Sequence, residues 1–414
     1  MDLLYQKECK MNVKIEKGTP RGRVTPPSSK SMAHRILICA AMAPGTSIIK
    51  GVSECDDVKA TIGCLSALGA RISRSGDTLT VTGVNMKAAS PASALECNES
   101  GSTLRFFLPI ALLSGKNTMF RGERVLMQRP MSVYEDMCKK KKLIYNADGE
   151  SIAVRGPLTA GEYEVVGNIS SQFISGLLFA LPLLDGDSRI KIIPPIESRS
   201  YIDMTIEALA LFGVEARWSD DNTIYVKGSQ QYMQRELTVE GDYSGAAFID
   251  ALGVFNSDVG VDGLNPDSLQ GDKVYKLLFD MLKKGVPTIH IANCPDLGPV
   301  LFAVAAAKYG GVFTGTKRLR IKESDRASAM AEELAKFGVS VTVYEDKTVV
   351  YPAAFHAPTE ILSGHNDHRI VMALSVLLTL TGGEIEGAEA ISKSYPRFFD
   401  DLKSLGIEVH EYEA

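Results

Sequence analysis

The chain has 414 residues, of which 45% are hydrophobic and 23% charged, a composition typical of soluble globular proteins and long enough for about two to three domains. It contains 45 Lys and Arg residues and 50 Asp and Glu residues, and the resulting net charge of −5 does not favour a nucleic acid as partner. Any cationic binding site must therefore be local.

The cysteines and the apolar segments indicate where the protein resides. The N-terminus MDLLYQKECK lacks the apolar core and the cleavage site of a secretion signal, and apolar runs such as IVMALSVLLTLTGG are too short to span a membrane. No CxxC or Cys/His metal spacing connects the cysteines, and their scattered positions predict reduced thiols in a cytoplasmic protein without a membrane partner. They are Cys9, Cys39, Cys55, Cys64, Cys97, Cys138 and Cys294.

In chain order, the first predicted element is the apolar helix of SKSMAHRILICAAMAPG, and its pattern recurs five times. Each copy has a polar or charged start, an apolar helix of about three turns, and a closing turn residue. The intervals are about 70 residues, with one shorter interval after the fourth copy, and such self-similarity predicts a repeat architecture. The copies are anchored at Ser31, Gly101, Ser171, Ser244, Gly298 and Asp367.

A strand, a second, amphipathic helix and a strand pair follow each apolar helix. The amphipathic helices, such as DDVKATIGCLSALGA and DRASAMAEELAKFGV, open with Asp and close with Gly, as caps require. Segments such as ARISRSGDTLTVTG alternate around a tight turn and predict hairpins. The second copy lacks the Leu-Gly ending, and the fourth lacks the hairpin, which explains its shorter interval.

The two ends of the chain complete one repeat. The sixth copy stops at GIEVHEYEA before its last strands, whereas MNVKIEKG near the N-terminus is a spare strand. We therefore expect the start of the chain to complete the final unit. Three units per domain then predict an upper domain over 25–238 and a lower domain formed by 1–24 plus 239–414.

The starts of the apolar helices combine polar and cationic side chains. These helices are too hydrophobic all round to lie on a surface, and the N-terminus of a buried helix carries unpaired N–H groups and positive charge. Any single Ser, Asp or Asn there is more often a plain cap. The added cations predict instead a site for a ligand with several negative groups. Because the cations repel one another, we expect the two halves of this site to stand apart when the ligand is absent. The cations are Lys30, Arg35, Arg105, Arg129, Lys322, Arg326, Arg369 and Lys393.

Several of these segments resemble sequence blocks of the 5-enolpyruvylshikimate-3-phosphate synthase family of enolpyruvyl transferases. They are SSKSMAHR, ESGSTLRF, LMQRPM, ISSQF, ESRSYIDMT, PDLGPVLFAVAA, RIKESDRASAM, HNDHRIVMA and SKSYPRFF, in the family's order. The resemblance implies an α/β fold of two domains joined by a hinge. Each domain contains three βαβαββ units in an inside-out barrel, and the active site lies in the cleft between the domains.

The resemblance also implies the reaction. The enolpyruvyl group of phosphoenolpyruvate passes to the 5-hydroxyl of 3-phosphoshikimate through a tetrahedral intermediate, and phosphate leaves. Neither a metal nor an organic cofactor takes part. The protein is then expected to be a monomer of the shikimate pathway, with glyphosate as a possible inhibitor at the phosphoenolpyruvate site.

The resemblance implies substrate contacts for those residues of this chain that match the functional positions of the family. Contacts to 3-phosphoshikimate are implied for Lys30, Ser31, Arg35, Ser170, Ser171, Gln172, Ser198, Asp296 and Lys322. Contacts to phosphoenolpyruvate are implied for Lys30, Gly101, Arg129, Gln172, Arg326, Arg369 and Lys393. The implied catalytic residues are Lys30, which would contact both substrates, Asp296, which would accept the hydroxyl proton, and Glu323, which would protonate the methylene carbon. That last role needs a raised pKa, which Lys322 and Arg326 oppose.

Four positions depart from the family pattern, and two other functions stay open. Glu99, Ser102, Phe106 and Arg318 replace more usual residues, which leaves substrate affinity and glyphosate sensitivity undecided. One alternative is the enolpyruvyl transferase that acts on UDP-N-acetylglucosamine, although GKNTMFRGERV lacks the reactive Cys expected there. The other is a non-catalytic repeat protein that binds anions.

Overall fold

A computed structural model describes residues 10–255 and 258–413, so the predicted thiol of Cys9 lies outside the described residues. The chain divides into two compact units. The N-terminal unit comprises 27–242 and 265–271, and the C-terminal unit comprises 10–26, 243–255, 258–264 and 272–413. The six described cysteines are buried free thiols.

Three four-stranded sheets of one topology form the N-terminal unit. Strands β1 (Met11–Ile15) and β2 (Arg21–Val24) precede it in the chain and belong to the C-terminal unit. Its own strands are β3 (Thr46–Lys50), β4 (Arg71–Ser75), β5 (Thr78–Thr82), β6 (Leu95–Glu96), β7 (Asn117–Arg121), β8 (Ile144–Ala147), β9 (Ser151–Arg155), β10 (Gly161–Val166), β11 (Ser188–Ile193), β12 (Ala216–Trp218), β13 (Thr223–Val226) and β14 (Glu236–Thr238). The sheet orders are β14-β3-β5-β4, β6-β7-β9-β8 and β10-β11-β13-β12. In every sheet the first pair is parallel and the two others are antiparallel.

Buried helices alternate with these strands. The helices are α1 (Lys30–Met42), α2 (Asp56–Ala67), α3 (Gly101–Ala111), α4 (Arg124–Met127), α5 (Ser132–Lys141), α6 (Ser171–Ala180) and α7 (Arg199–Leu211). The predicted apolar helices are α1, α3 and α6, which are buried almost throughout. Side chains of Ser29, Ser100 and Ser170 cap their N-termini. In the second copy, Lys142 ends α5 at φ 55°, taking the left-handed conformation that Gly usually supplies there.

The described part of the C-terminal unit repeats this topology with one shortened copy. Its strands are β1, β2, β15 (Asp258–Val261), β16 (Thr288–His290), β17 (Gly311–Thr314), β18 (Val341–Val343), β19 (Lys347–Val350), β20 (Leu362–Ser363), β21 (Gly383–Glu386) and β22 (Val409–Glu413). They form the sheets β16-β17-β19-β18 and β20-β21-β1-β22 and the parallel pair β15-β2. The two-stranded pair confirms that the fourth copy lacks its hairpin.

Strand β1 completes the sixth repeat, as predicted. It pairs antiparallel with β21 on one side and β22 on the other, so that Val13 lies opposite Ile385 and Glu411. Val13 and Ile15 are fully buried on this strand. The sheet therefore depends on residues from both ends of the described chain.

The helices of the C-terminal unit surround its own hydrophobic core. They are α8 (Tyr243–Val254), α9 (Tyr275–Leu282), α10 (Gly298–Ala307), α11 (Arg326–Lys336), α12 (His368–Thr381) and α13 (Phe398–Ser404). The inner helices α8, α10 and α12 pack on one another. The predicted α/β repeat fold is confirmed in both units. Within the described ranges, no helix combines the length and the apolar character that crossing a membrane requires.

Candidate active site

In the C-terminal unit, Arg326 joins three carboxylates. It is the first residue of α11, and its side chain is only 1% exposed. Its Nη1 donates to Oδ1 of Asp296 at 2.8 Å, its Nη2 donates to Oε2 of Glu323 at 2.6 Å, and its Nε donates to Oδ2 of Asp367 at 2.8 Å. One guanidinium therefore fixes side chains from three separate segments.

Asp296 gathers two further cations. It lies in the 3-10 turn Pro295–Leu297 that leads into α10, and its side chain does not act as the cap of that helix. Lys322 Nζ lies 3.1 Å from Oδ1, and Arg369 Nη2 donates to Oδ2 at 3.2 Å. Arg369 Nη1 also donates to the main-chain oxygen of Asp296 at 3.1 Å. The predicted proton acceptor is thus the centre of a cationic ring.

The charges of this network alter the acid–base properties of its members. Burial disfavours the anion of Asp296, but the cations Arg369, Lys322 and Arg326 outweigh burial and hold the pKa of this carboxyl well below its usual range. Burial lowers the pKa of Lys322 to about 8 although Asp296 opposes it. Burial also disfavours the charge of Arg326, yet its three carboxylates raise its pKa. Near neutral pH, Asp296 is therefore an anion and Arg326 a cation, while the lowered pKa of Lys322 brings this ammonium closer to losing its charge.

Lys393 binds the residue that precedes Asp367 in the chain. Its Nζ donates to the main-chain oxygen of Asn366 at 2.6 Å and to the side-chain oxygen at 2.7 Å. The next residue, Asp367, caps α12 by accepting from the main-chain N–H of Arg369 at 2.9 Å. Because Asp367 also receives Arg326, a single carboxylate links the start of α11 to the start of α12.

In the N-terminal unit, the cations at the start of α1 have fixed partners. Lys30 Nζ lies 2.7 Å from Oδ2 of Asp57, the second residue of α2. Arg35 is buried, and it donates to Thr205 Oγ1 at 2.8 Å, to the main-chain oxygen of Ser31 at 2.6 Å and to that of Tyr201 at 2.9 Å. Burial lowers the pKa of Arg35 to about 10, so the guanidinium stays charged at neutral pH.

Gly101 opens α3 beneath two arginines. A Cβ at Gly101 would lie 2.9 Å from Nη1 of Arg129 and 3.6 Å from Nη1 of Arg105. Arg105 donates to Oε1 of Gln172 at 2.7 Å, and Gln172 Nε2 donates to Oγ of Ser102 at 2.9 Å. Three of the predicted phosphoenolpyruvate residues of this unit, Gly101, Arg129 and Gln172, therefore lie together, and hydrogen bonds join the starts of α3 and α6.

A buried chain of side chains supports the start of α3. His34 Nδ1 lies 2.7 Å from Thr61 Oγ1, Thr61 lies 2.8 Å from Thr103 Oγ1, and Thr103 donates to Ser100 Oγ at 2.8 Å. Burial keeps the pKa of His34 well below 6.5, so this imidazole is neutral. The chain ties α1 and α2 to the cap that precedes Gly101.

Ser31 is the second residue of α1, and the three other predicted serines lie at the starts of α6 and α7. Ser170 caps α6 by accepting from the main-chain N–H of Gln172 at 3.3 Å, and Ser171 is the first residue of that helix. Ser198 precedes α7 in the left-handed conformation, at φ 57°. All three serines are buried. Hydroxyls and free N–H groups at helix N-termini suit a phosphate.

The departures from the family pattern have definite surroundings. Ser102 takes part in the Gln172 contact described above, and the ring of Phe106 lies 5.2 Å from the guanidinium carbon of Arg35. Arg318 is buried and donates to the main-chain oxygen of Ala292 at 3.4 Å. Ser102, Phe106 and Arg318 are therefore integrated into the structure.

Sequence reasoning missed several partners of the predicted residues. The sequence indicates Asp57, which binds Lys30, only as part of a helix start. The position of Asp367 at a helix start predicts a cap, but capping is only one of its two roles, since it also binds Arg326. Thr205 and Tyr201, which hold Arg35, lie some 170 residues away, and no local pattern could have found them.

Comparison with known proteins places these observations in one family. The family model described as EPSP synthase (3-phosphoshikimate 1-carboxyvinyltransferase) matches residues 16–402. The 3-phosphoshikimate 1-carboxyvinyltransferase of Clostridium kluyveri is 39% identical over 420 residues, covering 95% of this chain and 97% of its own. That of Clostridium acetobutylicum is 40% identical over 426 residues, covering 97% and 98%.

Solved structures agree on the fold. An EPSP synthase from Acinetobacter baumannii superposes with a TM-score of 0.78 at 23% identity, over 97% of this chain and 100% of that one. The enolpyruvyl transferase NikO from Streptomyces tendae superposes with a TM-score of 0.74 at 16% identity, over 98% and 100%. Since the family model matches most of the chain and the two clostridial proteins match it nearly end to end, this chain belongs to the EPSP synthase (3-phosphoshikimate 1-carboxyvinyltransferase) family.

Proposed function

We propose that this protein transfers the 1-carboxyvinyl group of phosphoenolpyruvate to the 5-hydroxyl of 3-phosphoshikimate and releases phosphate. The observation that carries the proposal is the ring of Lys322, Arg326 and Arg369 around the single carboxylate of Asp296 in a chain of this family. Both substrates are small and multiply anionic, and a buried group of cations is suited to binding them. An anion-binding scaffold without catalysis would not need the carboxylates Asp296 and Glu323 among its cations.

We assign phosphoenolpyruvate to a set of arginine and lysine side chains. In the C-terminal unit these are Arg326, Arg369 and Lys393, whose forks and ammonium suit a carboxylate and a phosphate. In the N-terminal unit, Gly101 and Arg129 would contact the same substrate. Lys30 and Gln172 would contact both substrates.

3-Phosphoshikimate is assigned to the helix starts of the N-terminal unit together with two groups from the other unit. Ser170, Ser171 and Ser198 would hold its phosphate, while Ser31 and Arg35 would hold the ring. Lys322 and Asp296 would reach it from the C-terminal unit. We therefore infer that the two domains predicted from the repeats, 25–238 and 1–24 plus 239–414, act on one pair of substrates.

The chemistry consists of an addition followed by an elimination, each with its own proton transfers. The 5-hydroxyl oxygen bonds to C2 of phosphoenolpyruvate as its proton passes to Asp296, and Glu323 protonates the methylene carbon. Elimination returns that second proton to Glu323 and breaks the bond between C2 and the phosphate oxygen, and the departing phosphate takes up the proton that the hydroxyl gave to Asp296. Asp296 becomes a stronger base as anionic substrates draw Lys322, Arg326 and Arg369 away from it, because those cations hold its pKa low.

We further propose a cytoplasmic monomer of the shikimate pathway, in keeping with the buried free thiols of the six described cysteines. Glyphosate is proposed as an inhibitor at the phosphoenolpyruvate site. The intact Gly101 favours this inhibition, since a side chain there would reach Arg129.

Phosphate release with both substrates tests the function. We expect turnover with phosphoenolpyruvate and 3-phosphoshikimate, and turnover with UDP-N-acetylglucosamine instead would assign the protein to the alternative reaction. The variants Asp296→Ala and Glu323→Gln should lose most of kcat and remain folded by circular dichroism. Matched controls are Asp262→Ala and Glu345→Gln, which change exposed carboxylates paired with Arg23 and Lys317. Near-wild-type rates in either active-site variant would contradict the proton role of that residue.

A further inference from the structure

Helix α11 holds the segment 363–367 at two points. Arg326 and Glu333 are seven residues apart, which is about two helical turns, so they lie on the same face of the helix. Arg326 Nε donates to Asp367 at 2.8 Å. Glu333 accepts from the main-chain N–H of Ser363 at 2.9 Å, and its Oε1 lies 2.8 Å from Nε2 of His365. The two ends of a five-residue segment are thereby tied to one helix face.

Glu333 is a buried carboxylate with a full set of partners. Its side chain is 0% exposed, and Lys336 Nζ lies 3.0 Å away. Lys336 also donates to the main-chain oxygen of Ile361 at 3.1 Å. Glu332 also faces His365, since a carboxylate oxygen of Glu332, one of Glu333 and a ring nitrogen of His365 lie within 4.8 Å of one another. The cluster contains two carboxylates, Glu332 and Glu333, and one ammonium, that of Lys336. A proton on His365 would add the second positive charge.

The segment itself has an unusual backbone. His365 and Asn366 have φ values of 49° and 51°, and consecutive left-handed residues other than Gly are energetically unfavourable without side-chain support. On one side, His365 is held by Glu333 and its main-chain N–H donates to Ser363 Oγ at 3.3 Å. On the other side, Asn366 receives Lys393 through both of its oxygens.

This turn sets the position of two cations assigned to phosphoenolpyruvate. Lys393 donates directly to Asn366, and Arg369, the second residue of α12, donates its main-chain N–H to the cap Asp367, which follows Asn366 in the chain. A change in the turn at His365 therefore moves the partners of both cations at once. Most groups assigned to 3-phosphoshikimate belong instead to the N-terminal unit.

We propose that His365 is a positioning residue for phosphoenolpyruvate, whose contact with Glu333 fixes the left-handed turn that places Lys393 and Arg369. The inference rests on the proposed function, since it concerns the site of that substrate. His365 does not touch the reacting atoms and acts only through its neighbours.

The contact should make phosphoenolpyruvate binding depend on pH. The charged groups that face His365 are Glu333, Glu332 and Lys336, all on α11, while Lys393 reaches the neighbouring Asn366. The hydrogen bond to Glu333 raises the pKa of His365 above 6.5 against the opposing effect of burial. The charged pair is thus complete below pH 6.5 and is lost as the pH rises through the raised value, so the turn loosens in that range.

Steady-state kinetics of His365 variants from about pH 5.5 to 9 test the inference, a range that spans the usual His pKa. His365→Ala should raise KM for phosphoenolpyruvate about three- to tenfold at pH 6, as expected for losing part of a charge-assisted hydrogen bond, and leave KM for 3-phosphoshikimate within about twofold. His365→Gln keeps a neutral donor without titrating. The KM of this variant for phosphoenolpyruvate should lack the pH-dependent rise that the wild type shows above pH 6.5.

The matched control is His410→Gln. His410 forms another His–Glu pair in the same unit, with Nε2 3.0 Å from Glu408, but its side chain is 54% exposed. This variant should reproduce the wild-type profile. Equal increases in both KM values for His365→Ala, or superimposable pH profiles of the wild type and His365→Gln, would overturn the positioning role while the proposed function stands. A wild type without turnover on the two substrates would overturn the proposed function and this inference together.

Discussion

Gly101 and Arg129 are so close that a methyl group on Gly101 would lie 2.9 Å from Nη1 of the arginine. That distance is shorter than a normal van der Waals contact, so one of the two groups must move. The nearby groups are also polar, with Oε1 of Gln172 at 3.7 Å and Nη1 of Arg105 at 3.6 Å. The absence of a side chain at the start of α3 therefore permits the observed position of Arg129.

Gly101→Ala should accordingly weaken the site of phosphoenolpyruvate without unfolding the protein. The methyl group displaces the flexible end of Arg129 and narrows the space beside it. We expect KM for phosphoenolpyruvate to rise roughly tenfold, equivalent to about 1.4 kcal/mol, and the inhibition constant of glyphosate to rise at least as much. KM for 3-phosphoshikimate should change little, and equal losses for all three ligands would contradict the placement of Gly101.

Gly63 provides the control for this substitution. It lies inside α2, and a Cβ there would meet nothing within 4 Å. Gly63→Ala should leave all kinetic constants unchanged and stabilise the helix by about 0.5–1 kcal/mol, because Ala loses less backbone entropy on folding. An increase in Tm together with unaltered kinetics separates the effect of a helical Gly→Ala change from the effect at the site.

The lowered pKa of Lys322 predicts an alkaline limit to activity. Burial places this pKa at about 8, so the ammonium loses its charge between about pH 7 and 9. The value of kcat/KM for 3-phosphoshikimate should fall through that range, since a neutral amine attracts the substrate phosphate less strongly. Lys322→Arg keeps the charge at all these pH values and should move the falling limb upward. Coincident alkaline limbs in the two proteins would rule out Lys322 as the titrating group.

Replacement of Arg326 should destabilise the C-terminal unit. Arg326→Met keeps much of the side-chain length but leaves Asp296, Glu323 and Asp367 without their shared cation. Removal of one partner from a buried ion pair costs about 3–5 kcal/mol, and a loss of this size lowers Tm by about 10 °C. Thermal unfolding followed by circular dichroism measures the shift.

An exposed arginine of the same unit serves as the comparison. Arg23 binds Asp262 at 2.6 Å, but both side chains are more than half exposed. Arg23→Met should leave Tm essentially unchanged, since solvent and salt screen such a pair. If both substitutions lowered Tm to the same extent, burial of the Arg326 network would not be the cause.

The repeat fold could be predicted from the sequence because its signal is local and recurs. Apolar helices opened by Ser or Asp and amphipathic helices closed by Gly specify their own boundaries. Even the shortened fourth copy was visible in the interval before Gly298. The closure of the sixth sheet by β1 could also be predicted, since a strand without a partner at one end matched a missing strand at the other.

The site could be predicted only as a set of residue types. The cations at helix starts were visible, but their partners depend on the tertiary fold. The pairing of Lys30 with Asp57 joins two helices, and that of Glu333 with His365 joins α11 to a left-handed turn. Neither turn conformation nor burial can be read from the letters LSGHNDHR. The low pKa of Lys322 likewise follows from burial, which no motif reports.

The dependence of the sixth repeat on β1 can be tested by a core substitution in that strand. Ile15 is fully buried and lies opposite Gly383 and Val409. Ile15→Ala should destabilise the C-terminal unit by about 2–5 kcal/mol, the usual cost of a large-to-small change in a core, and should lower Tm accordingly. Lys14→Ala changes the adjacent, exposed side chain of the same strand and should have no measurable effect. Equal stability of the two variants would mean that β1 does not contribute to this sheet, and the sixth repeat would then have to be stable without the N-terminal segment.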